Sequence, residues 1–203
     1  MKDEMDILRE VSSIAAAHGS KALSEMLKKR INLSLPNLES LRPNALISKI
    51  STDTPVISVQ SRVLSGVSGS IILILEEQSA FQLVNICYSN NNNSTDKPDA
   101  FTEMGFSVIK EIGNVVIGSY AGALSIFLKA PVIPSIPTLI NGPLAEIIHS
   151  VTVPYNDEES ILFIEAFFEE VERRIQGGLY FILTPAAMKM IQESCKKILN
   201  SLG

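Results

Sequence analysis

The feature that most constrains the fold of this chain is an internal repeat. When the 203-residue sequence is shifted by 101 residues, 6–38 aligns with 107–139, and nine of the 33 aligned positions are identical. The offset then grows by seven residues, so that 69–75 aligns with 177–183. A chain of two related halves forms either two small similar units or one pseudo-symmetric unit.

Each half shows the same order of predicted elements. A helix with apolar residues at helical spacing is followed by a break that contains Gly, a short second helix, three strand-like segments and a closing helix. We expect Thr184 to cap the last helix, with Pro185 in its first position. The predicted elements are helices at 3–17 and 21–29, strands at 46–50, 56–63 and 69–75 and a helix at 79–88, then helices at 101–118 and 123–130, strands at 147–153, 161–170 and 177–183 and a helix at 185–199.

The two halves are joined by a polar, Asn-rich stretch at 89–98 that reads as an exposed linker. Helices followed by hairpin-length strands favour an α+β fold over a doubly wound one. Neither half has enough elements to bury its strands alone. We therefore expect a single domain over 1–203, a pseudo-symmetric tandem repeat of two helix-strand units, about 1–88 and 99–203. The units share a mainly antiparallel sheet flanked by helices, and the chain is sufficient as a monomer.

Composition excludes several classes of protein. Hydrophobic residues make up 46% of the chain and charged residues 19%, which is too apolar for a disordered protein. The net charge of -5 argues against a nucleic-acid partner, because phosphate-backbone affinity depends on clustered Lys and Arg. The longest purely aliphatic run, 71–75, is far too short to span a membrane, and 1–8 carries charges of both signs rather than a signal sequence. We expect a cytoplasmic protein.

The residue types needed for metal or thiol chemistry are scarce. Cys87 and Cys195 are far apart and His18 and His149 are isolated, so no metal-ligand spacing is present. The offset of 108 that aligns the later strands also aligns the two cysteines, which predicts a shared core position. We expect no metal and no cofactor in this chain. Its chemistry must come from carboxylates, amides and hydroxyls.

One polar stripe lies on the opening helix of the second half. Ser107, Glu111 and Asn114 occupy positions i, i+4 and i+7, so they share one face of a helix. A solvated face is the simpler interpretation. However, Gly113 and Asn114 are adjacent and both disfavour a helix interior, which indicates a function that offsets their cost. Glycine would permit close approach by another surface, and an Asn amide offers both a donor and an acceptor.

These residues form a pattern that resembles a known family. Asp/Ser-x3-Glu-x2-Asn-x22-Pro marks the CheC/CheX/FliY phosphatases, which act on the chemotaxis response regulator CheY. Here the pattern reads Ser107, Glu111, Asn114 and Pro137. It recurs at the same spacing in the first half, with Ser in place of Asn, as Asp6, Glu10, Ser13 and Pro36. The resemblance extends over nearly the whole chain and is strongest to CheC.

The resemblance implies an activity and assigns residues to it. The chain would hydrolyse the aspartyl phosphate of CheY by holding one water in line with the phosphorus, with Asn114 positioning that water. Glu111 would pair with the Lys near the phosphorylation site, a general-base role being the alternative. Ser107 and Gly113 would contribute to substrate binding. Mg2+ would be supplied by the response regulator, and CheD is a further implied partner.

The first half departs from the pattern at its central residue. Ser13 is shorter than Asn and cannot easily reach a water at the same depth, so Asp6, Glu10 and Ser13 are expected to form a degenerate site. Pro36 and Pro137 are expected to bend the chain near the sheet edge rather than act in the reaction. A second hypothesis remains open, in which the chain is a non-catalytic module that binds CheY, CheD or the flagellar switch.

Overall fold

A computed structural model describes residues 4–34, 36–50, 52–91, 102–170, 172 and 175–202. Within these ranges both halves have the same order: a long helix, two short strands, a short helix, two long strands and a closing helix. The first half contains α1 (Glu4–Leu27), β1 (Asn32–Leu33), β2 (Asn37–Leu41), α2 (Pro43–Ile50), β3 (Pro55–Gly66), β4 (Gly69–Glu76) and α3 (Glu77–Asn91). The second contains α4 (Glu103–Leu128), β5 (Val132–Pro134), β6 (Thr138–Pro143), α5 (Leu144–Thr152), β7 (Ile161–Glu170), β8 (Ile175–Leu183) and α6 (Pro185–Leu202).

Both halves contribute to one eight-stranded antiparallel sheet. Its main path is β1-β7-β8-β4-β3-β5, with β2 also paired to β7 and β6 also paired to β3. Each pair of short strands therefore lies on a long strand of the other half: β1 and β2 of the first half on β7, and β5 and β6 of the second half on β3. The α+β class and the mainly antiparallel sheet predicted from the sequence are confirmed.

The centre of the sheet is the β4–β8 pair. Ile72 lies opposite Tyr180, and these two residues are also equivalent under the offset of 108. A pseudo-two-fold axis therefore passes through this pair. Every residue of β4 except Glu76 is buried, and β8 is buried except at Gln176, as expected of strands covered on both faces.

Two hydrophobic clusters cover the two faces of the sheet. The larger one lies under α1, α3, α4 and α6 and includes Ile57, Val59 and Leu73. The smaller one lies under α2 and α5 and includes Ile72 and Ile74. Successive side chains of a strand point to opposite faces. Odd-numbered residues of β3 and β4 such as Val59 and Leu73 therefore face the layer of α1, α3, α4 and α6, and even-numbered ones such as Ile72 face α2 and α5.

The predicted break in each opening helix is wrong. α1 and α4 continue without interruption for 24 and 26 residues. Gly19 is buried at the crossing of these helices, where a Cβ would lie 3.4 Å from the Val116 carbonyl oxygen and 3.8 Å from Cβ of Tyr120. Glycine serves close helix packing there, and that packing outweighs its propensity cost of about 1 kcal/mol.

The strands predicted at 46–50 and 147–153 are also wrong, since these segments lie in α2 and α5. In α2 the buried residues Leu46 and Ile50 are four apart, which places them on one helical face. Aliphatic runs this short do not distinguish a strand from a buried helix. Four short strands, β1, β2, β5 and β6, were not predicted from the sequence.

The ends of α1 and α4 confirm the repeat in atomic detail. Lys28 and Lys129, equivalent under the offset of 101, both have left-handed backbone conformations with φ of 52° and 49°. Just before them, the hydroxyl of Ser24 donates to the Lys29 carbonyl, and the hydroxyl of Ser125 donates to the Ala130 carbonyl. The same hydrogen bond thus closes both helices.

Other local predictions have mixed outcomes. Thr184 caps α6, since its hydroxyl accepts a hydrogen bond from the Ala187 N–H at 3.0 Å. Pro36 and Pro137 are buried and lie between the two short strands of their halves. Of the predicted linker, 89–91 belongs to the end of α3, and the rest lies outside the described residues. Cys87 is buried in the larger cluster, whereas the side chain of Cys195 lies outside the described part.

The structure also bears on the expectation that no segment is long enough to cross a membrane. Among the helices of the described ranges, α4 has the length and hydropathy for a membrane span. Half of its most apolar window is buried in the fold, and Ile109, Ile112 and Val116 of this helix belong to the larger cluster. Core packing therefore accounts for the hydropathy of α4.

Gly113 sets the distance between α4 and β3. It is buried, and a Cβ at this position would lie 2.4 Å from Cγ1 of Val59, much closer than two carbon atoms can approach. Gly118, five residues along the same helix, is exposed and has no neighbouring heavy atom within 4 Å of its own added Cβ. The two glycines therefore form a matched pair.

We expect Gly113→Ala and Gly118→Ala to change stability in opposite directions. Gly113→Ala overpacks the contact with Val59 and lowers the free energy of unfolding by about 1–3 kcal/mol. Gly118→Ala raises it by about 0.5–1 kcal/mol, since alanine is the better helix former and meets no obstacle. Urea denaturation measures both. Equal effects of the two substitutions would contradict the close approach of α4 to the sheet.

Candidate active site

The site predicted from the sequence lies on the first half of α4. The helix begins after Thr102, whose backbone is extended and whose side-chain oxygen accepts a hydrogen bond from the Gly105 N–H at 3.1 Å. Such a cap fixes the first turn of a helix. The larger cluster holds the buried side of α4 against α1 and the sheet. The exposed side is therefore presented on a rigid element.

Glu111 and Asn114 lie on this exposed side, about one turn apart. Within the described part of the chain, neither side chain makes a hydrogen bond or an ion pair. The helix thus presents a carboxylate and an amide next to each other, with their hydrogen-bonding capacity available to another molecule. The structure brings the two predicted catalytic residues together on one surface.

Ser107 lies on the same face but differs in its bonding. Its hydroxyl donates to the Glu103 carbonyl at 2.8 Å, one turn earlier in the helix. Such back-bonding is common for Ser within helices and occupies the only proton the hydroxyl can donate. The Ser107 hydroxyl can therefore only accept a hydrogen bond from another molecule. Ser107 is thus the weakest candidate for binding among the three polar groups on this face.

The structure corrects the assignment of Gly113 to substrate binding. Gly113 is buried against Val59, on the side of α4 that faces the sheet. The close approach that the sequence indicated does occur, but its partner is β3 of the same chain. Gly113 therefore positions the helix that carries Glu111 and Asn114 and is not part of the exposed surface.

The equivalent residues of the first half lie on α1. Asp6 and Glu10 are exposed, and Asp6 forms an ion pair with Arg9 at 3.5 Å. Ser13 is half-buried, and its hydroxyl donates to the Arg9 carbonyl at 2.7 Å. The side chain at the Asn position is therefore short and already directed at its own helix backbone, in agreement with the predicted reason for degeneracy.

The exposed stripe of α4 continues beyond Asn114, the last residue of the predicted site on this helix. Its next members are Gly118, Gly122 and Ile126, and Ile126 is 76% exposed. The repeat offset, readable from the sequence, gives their first-half counterparts as Ala17, Lys21 and Glu25, of which the last two form an ion pair at 3.8 Å. Along α4, the surface that follows Asn114 is thus first without projecting side chains, at the two glycines, and then apolar, at Ile126. Along α1, the surface that follows Ser13 is charged.

The two long helices meet through buried residues between the two stripes. Tyr120 packs edge-on against Phe181, with the ring centroids 6.0 Å apart. Burial raises the pKa of Tyr120 well above that of a free tyrosine, so its hydroxyl stays protonated. Tyr120 and Ser12 are buried on the facing sides of α4 and α1 and belong to the packing of the helices rather than to either exposed stripe.

The arrangement of potential metal ligands is relevant because many phosphatases use a metal ion. Among the residues that the structure describes, no group of three or more His, Cys, Asp or Glu side chains is arranged to hold a metal ion. The residues of the α4 stripe offer one carboxylate and one amide, fewer ligands than a resident divalent cation requires.

Comparisons with known proteins agree with the fold and with the residue pattern. No protein-family model matches the chain. The chain is 30% identical over 137 residues to the CheY-P phosphatase CheC of Bacillus subtilis, and the match covers 67% of this chain and 65% of that protein, just under two thirds of its length. The crystal structure of Thermotoga maritima FliY has a TM-score of 0.75 at 19% identity, covering 96% of both chains.

A second solved structure is a complex. The CheX-CheY-BeF3-Mg2+ complex of Borrelia burgdorferi has a TM-score of 0.59 at 18% identity, covering 86% of this chain and 96% of the matched one. At these identities the two solved structures establish the fold. The CheC match, the shared architecture and the sequence pattern around Glu111 and Asn114 agree with one another, and the chain is similar to the proteins named CheC, CheX and FliY.

Proposed function

We propose that this chain is a chemotaxis phosphatase that hydrolyses the aspartyl phosphate of the response regulator CheY. The observation that carries the proposal is the pair Glu111 and Asn114, exposed about one turn apart on the rigid helix α4 and without partners among the described residues. The similarity to CheC, a CheY-P phosphatase, supports this substrate. The name CheX-CheY for a complex of the same fold supports docking of a response regulator.

Hydrolysis of an aspartyl phosphate requires few catalytic groups from the phosphatase. An aspartyl phosphate is an acyl phosphate, so its carboxylate is already a good leaving group. Water attacks the phosphorus, the bond from phosphorus to the aspartyl oxygen breaks, and inorganic phosphate leaves. What accelerates the step is the placement of one water in line with that bond. This demand suits a candidate site that offers a carboxylate, an amide and a hydroxyl and no His or Cys.

We assign the placement of water to Asn114. Its amide can accept a hydrogen bond from the water with its oxygen or donate one to the water's oxygen with its nitrogen, so one side chain can orient the nucleophile. The exposed position of Asn114 on α4 lets it enter the partner's site when the helix docks. Gly113 supports this role from the other side, because the close contact with Val59 fixes the depth of the helix.

We assign orientation of the complex to Glu111. A carboxylate about one turn from Asn114 can pair with the Lys near the regulator's phosphorylated Asp, which fixes the register of the docked helix. Since Glu111 has no ion-pair partner among the described residues, such pairing costs no internal salt bridge. Ser107, whose proton is bonded to the Glu103 carbonyl, contributes at most an acceptor to the docked surface.

We place the single active site on α4 rather than on α1. The side chain of Ser13 is bonded to its own helix, and the surface beyond it carries the Lys21–Glu25 ion pair. Beyond Asn114, in contrast, Gly118 and Gly122 have no side chain that projects from the exposed face of the helix. The pair Glu10 and Ser13, with Asp6, is therefore proposed as the remnant of a second site.

We infer that Mg2+ enters with the partner. The complex of Borrelia burgdorferi contains Mg2+ by name, and the described residues of this chain offer no cluster that would fit the ion. The resemblance also implies CheD as a partner, to which we assign no residue. We further propose that 1–203 is one domain that functions as a monomer in the cytoplasm, where CheY is phosphorylated. The continuous sheet shared by both halves supports the single domain.

Replacement of Asn114 by Ala tests the activity. With CheY loaded from acetyl phosphate in the presence of Mg2+, we expect the protein-dependent release of phosphate to fall about 100-fold or more, because the water loses its positioning group. Ser13→Ala is the matched control at the equivalent position and should retain the wild-type rate. An Asn114→Ala variant that keeps full activity would refute the assignment. A wild-type chain that binds CheY without accelerating phosphate loss would instead identify a non-catalytic module.

A second experiment asks whether α1 can carry the reaction. In the Asn114→Ala background we introduce Ser13→Asn, which restores the family pattern in the first half. We expect most of the lost activity to stay lost, because the Lys21–Glu25 pair alters the surface next to position 13. Further exchange of Lys21 and Glu25 for Gly and Ile copies the α4 surface and should raise the rate. Full recovery from Ser13→Asn alone would show that the Asn side chain is the sole determinant.

A further inference from the structure

A polar cleft of about 590 Å3 lies on the face of the sheet opposite α4. It is bounded by β3, the start of β4, β6, the chain just after α5 and the N-terminus of α6. Val59 contacts Gly113 on one face of β3, whereas Arg62, three residues later in a regular ladder, points to the other. The cleft is therefore separated from Asn114 by the sheet and has no part in the phosphatase site.

The charge of this cleft is opposite to that of the whole chain. The protein has 22 acidic and 17 basic residues, yet the lining contains one Arg and no Asp or Glu. Arg62 is exposed to the cleft and forms no ion pair among the described residues. An unpaired guanidinium in a recess without carboxylates favours an anion as occupant.

Hydroxyl groups line the same space. Eight of the fifteen lining residues carry one. The hydroxyls of Ser135 and Ser150 donate to backbone carbonyls and those of Ser68 and Thr184 bond to each other, while Arg62, Ser70, Thr138 and Tyr155 keep donors for a ligand. Burial raises the pKa of Tyr155, while a hydrogen bond to Ser70 and the charge of Arg62 act in the opposite direction, which places these three groups beside one another. Ser70 is 8% exposed and Thr138 is exposed at the rim. Thr184, the cap of α6, completes the wall, and the first turn of that helix has no acidic residue.

The equivalent region of the first half is filled by its own side chains. Under the repeat, Thr138 corresponds to Asn37 and Ile140 to Glu39. Asn37 donates hydrogen bonds to Glu39 and to Glu165, and Lys49 pairs with the same two carboxylates. That network satisfies its charges internally. At the cleft, the positions equivalent to Glu39 and Lys49 are Ile140 and Ser150, so this network is missing and an open recess beside the unpaired Arg62 is left.

We propose that this cleft binds a small organic phosphate monoester. The phosphoryl group would lie against the Arg62 guanidinium and the hydroxyls of Ser70 and Tyr155, since three terminal oxygens need several donors. The remaining space, lined by Thr138, Ile140 and Val151, accommodates a hydroxyl-bearing body. The volume lies within the range of small-molecule sites. The proposal is independent of the phosphatase function.

The test uses glucose 6-phosphate as the probe and 1H-15N NMR of the full chain. We expect saturable shifts of the Ser70, Tyr155 and Ala186 amides with glucose 6-phosphate, weaker binding of inorganic phosphate, and no shifts with glucose at the same concentration. Arg62→Gln should weaken binding about tenfold or more, in line with loss of a charged hydrogen bond. Arg62→Lys keeps the positive charge but loses the bidentate N–H donors of the guanidinium. This variant should bind glucose 6-phosphate with intermediate affinity.

Arg42→Gln is the matched control, an exposed arginine just before α2 that should leave binding unchanged. The proposal is overturned by the absence of saturable shifts, by equal affinity of Arg62→Gln and the wild type, or by inorganic phosphate binding as tightly as glucose 6-phosphate. Citrate at matched ionic strength provides the last arm. If citrate binds and the phosphates do not, the cleft is a carboxylate site and the proposal is wrong.

Discussion

The antiparallel pairing of β4 with β8 is the contact on which the rest of the structure depends. β4 of the first half and β8 of the second half are each buried on both faces. Each half therefore needs the other half to cover its central strand. Because Ile72 meets Tyr180, its own counterpart, the pairing also fixes the axis that relates the halves. The short strands then bind the long strands of the opposite half, and the halves are interlocked at both edges as well as at the centre.

The sequence predicts the long strands well and the short elements poorly. β7 was located to the residue, and β3, β4 and β8 within three residues at their ends, because long aliphatic runs next to turn residues have few alternatives. α2 and α5 were read as strands, since segments of only eight and nine residues with a few aliphatic positions fit either period. The continuity of α1 past Gly19 could not be read locally, because the force that holds it is the packing of α4.

For the candidate site, the sequence located the residues but not their orientations. Spacing placed Glu111 and Asn114 on one helical face, and the structure puts that face outside. Spacing also singled out Gly113, but whether a glycine faces a partner or its own core depends on the rotation of the helix, which is set by the whole cluster under it. The bonding of Ser107 and Ser13 to their own backbones is likewise a matter of side-chain rotation that no pattern encodes.

The matching ends of α1 and α4 carry a wider consequence. Lys28 and Lys129 keep an unfavourable left-handed backbone in both halves, with the same serine hydroxyl bond beside each. The exposed stripes that precede them have meanwhile become different. The two halves thus share a frame in which the junction from helix to sheet is the same, while the exposed surfaces of the two helices differ. In a molecule of this kind the exposed faces of α1 and α4 are expected to differ in function. The junctions at the ends of the two helices keep the symmetry of the repeat.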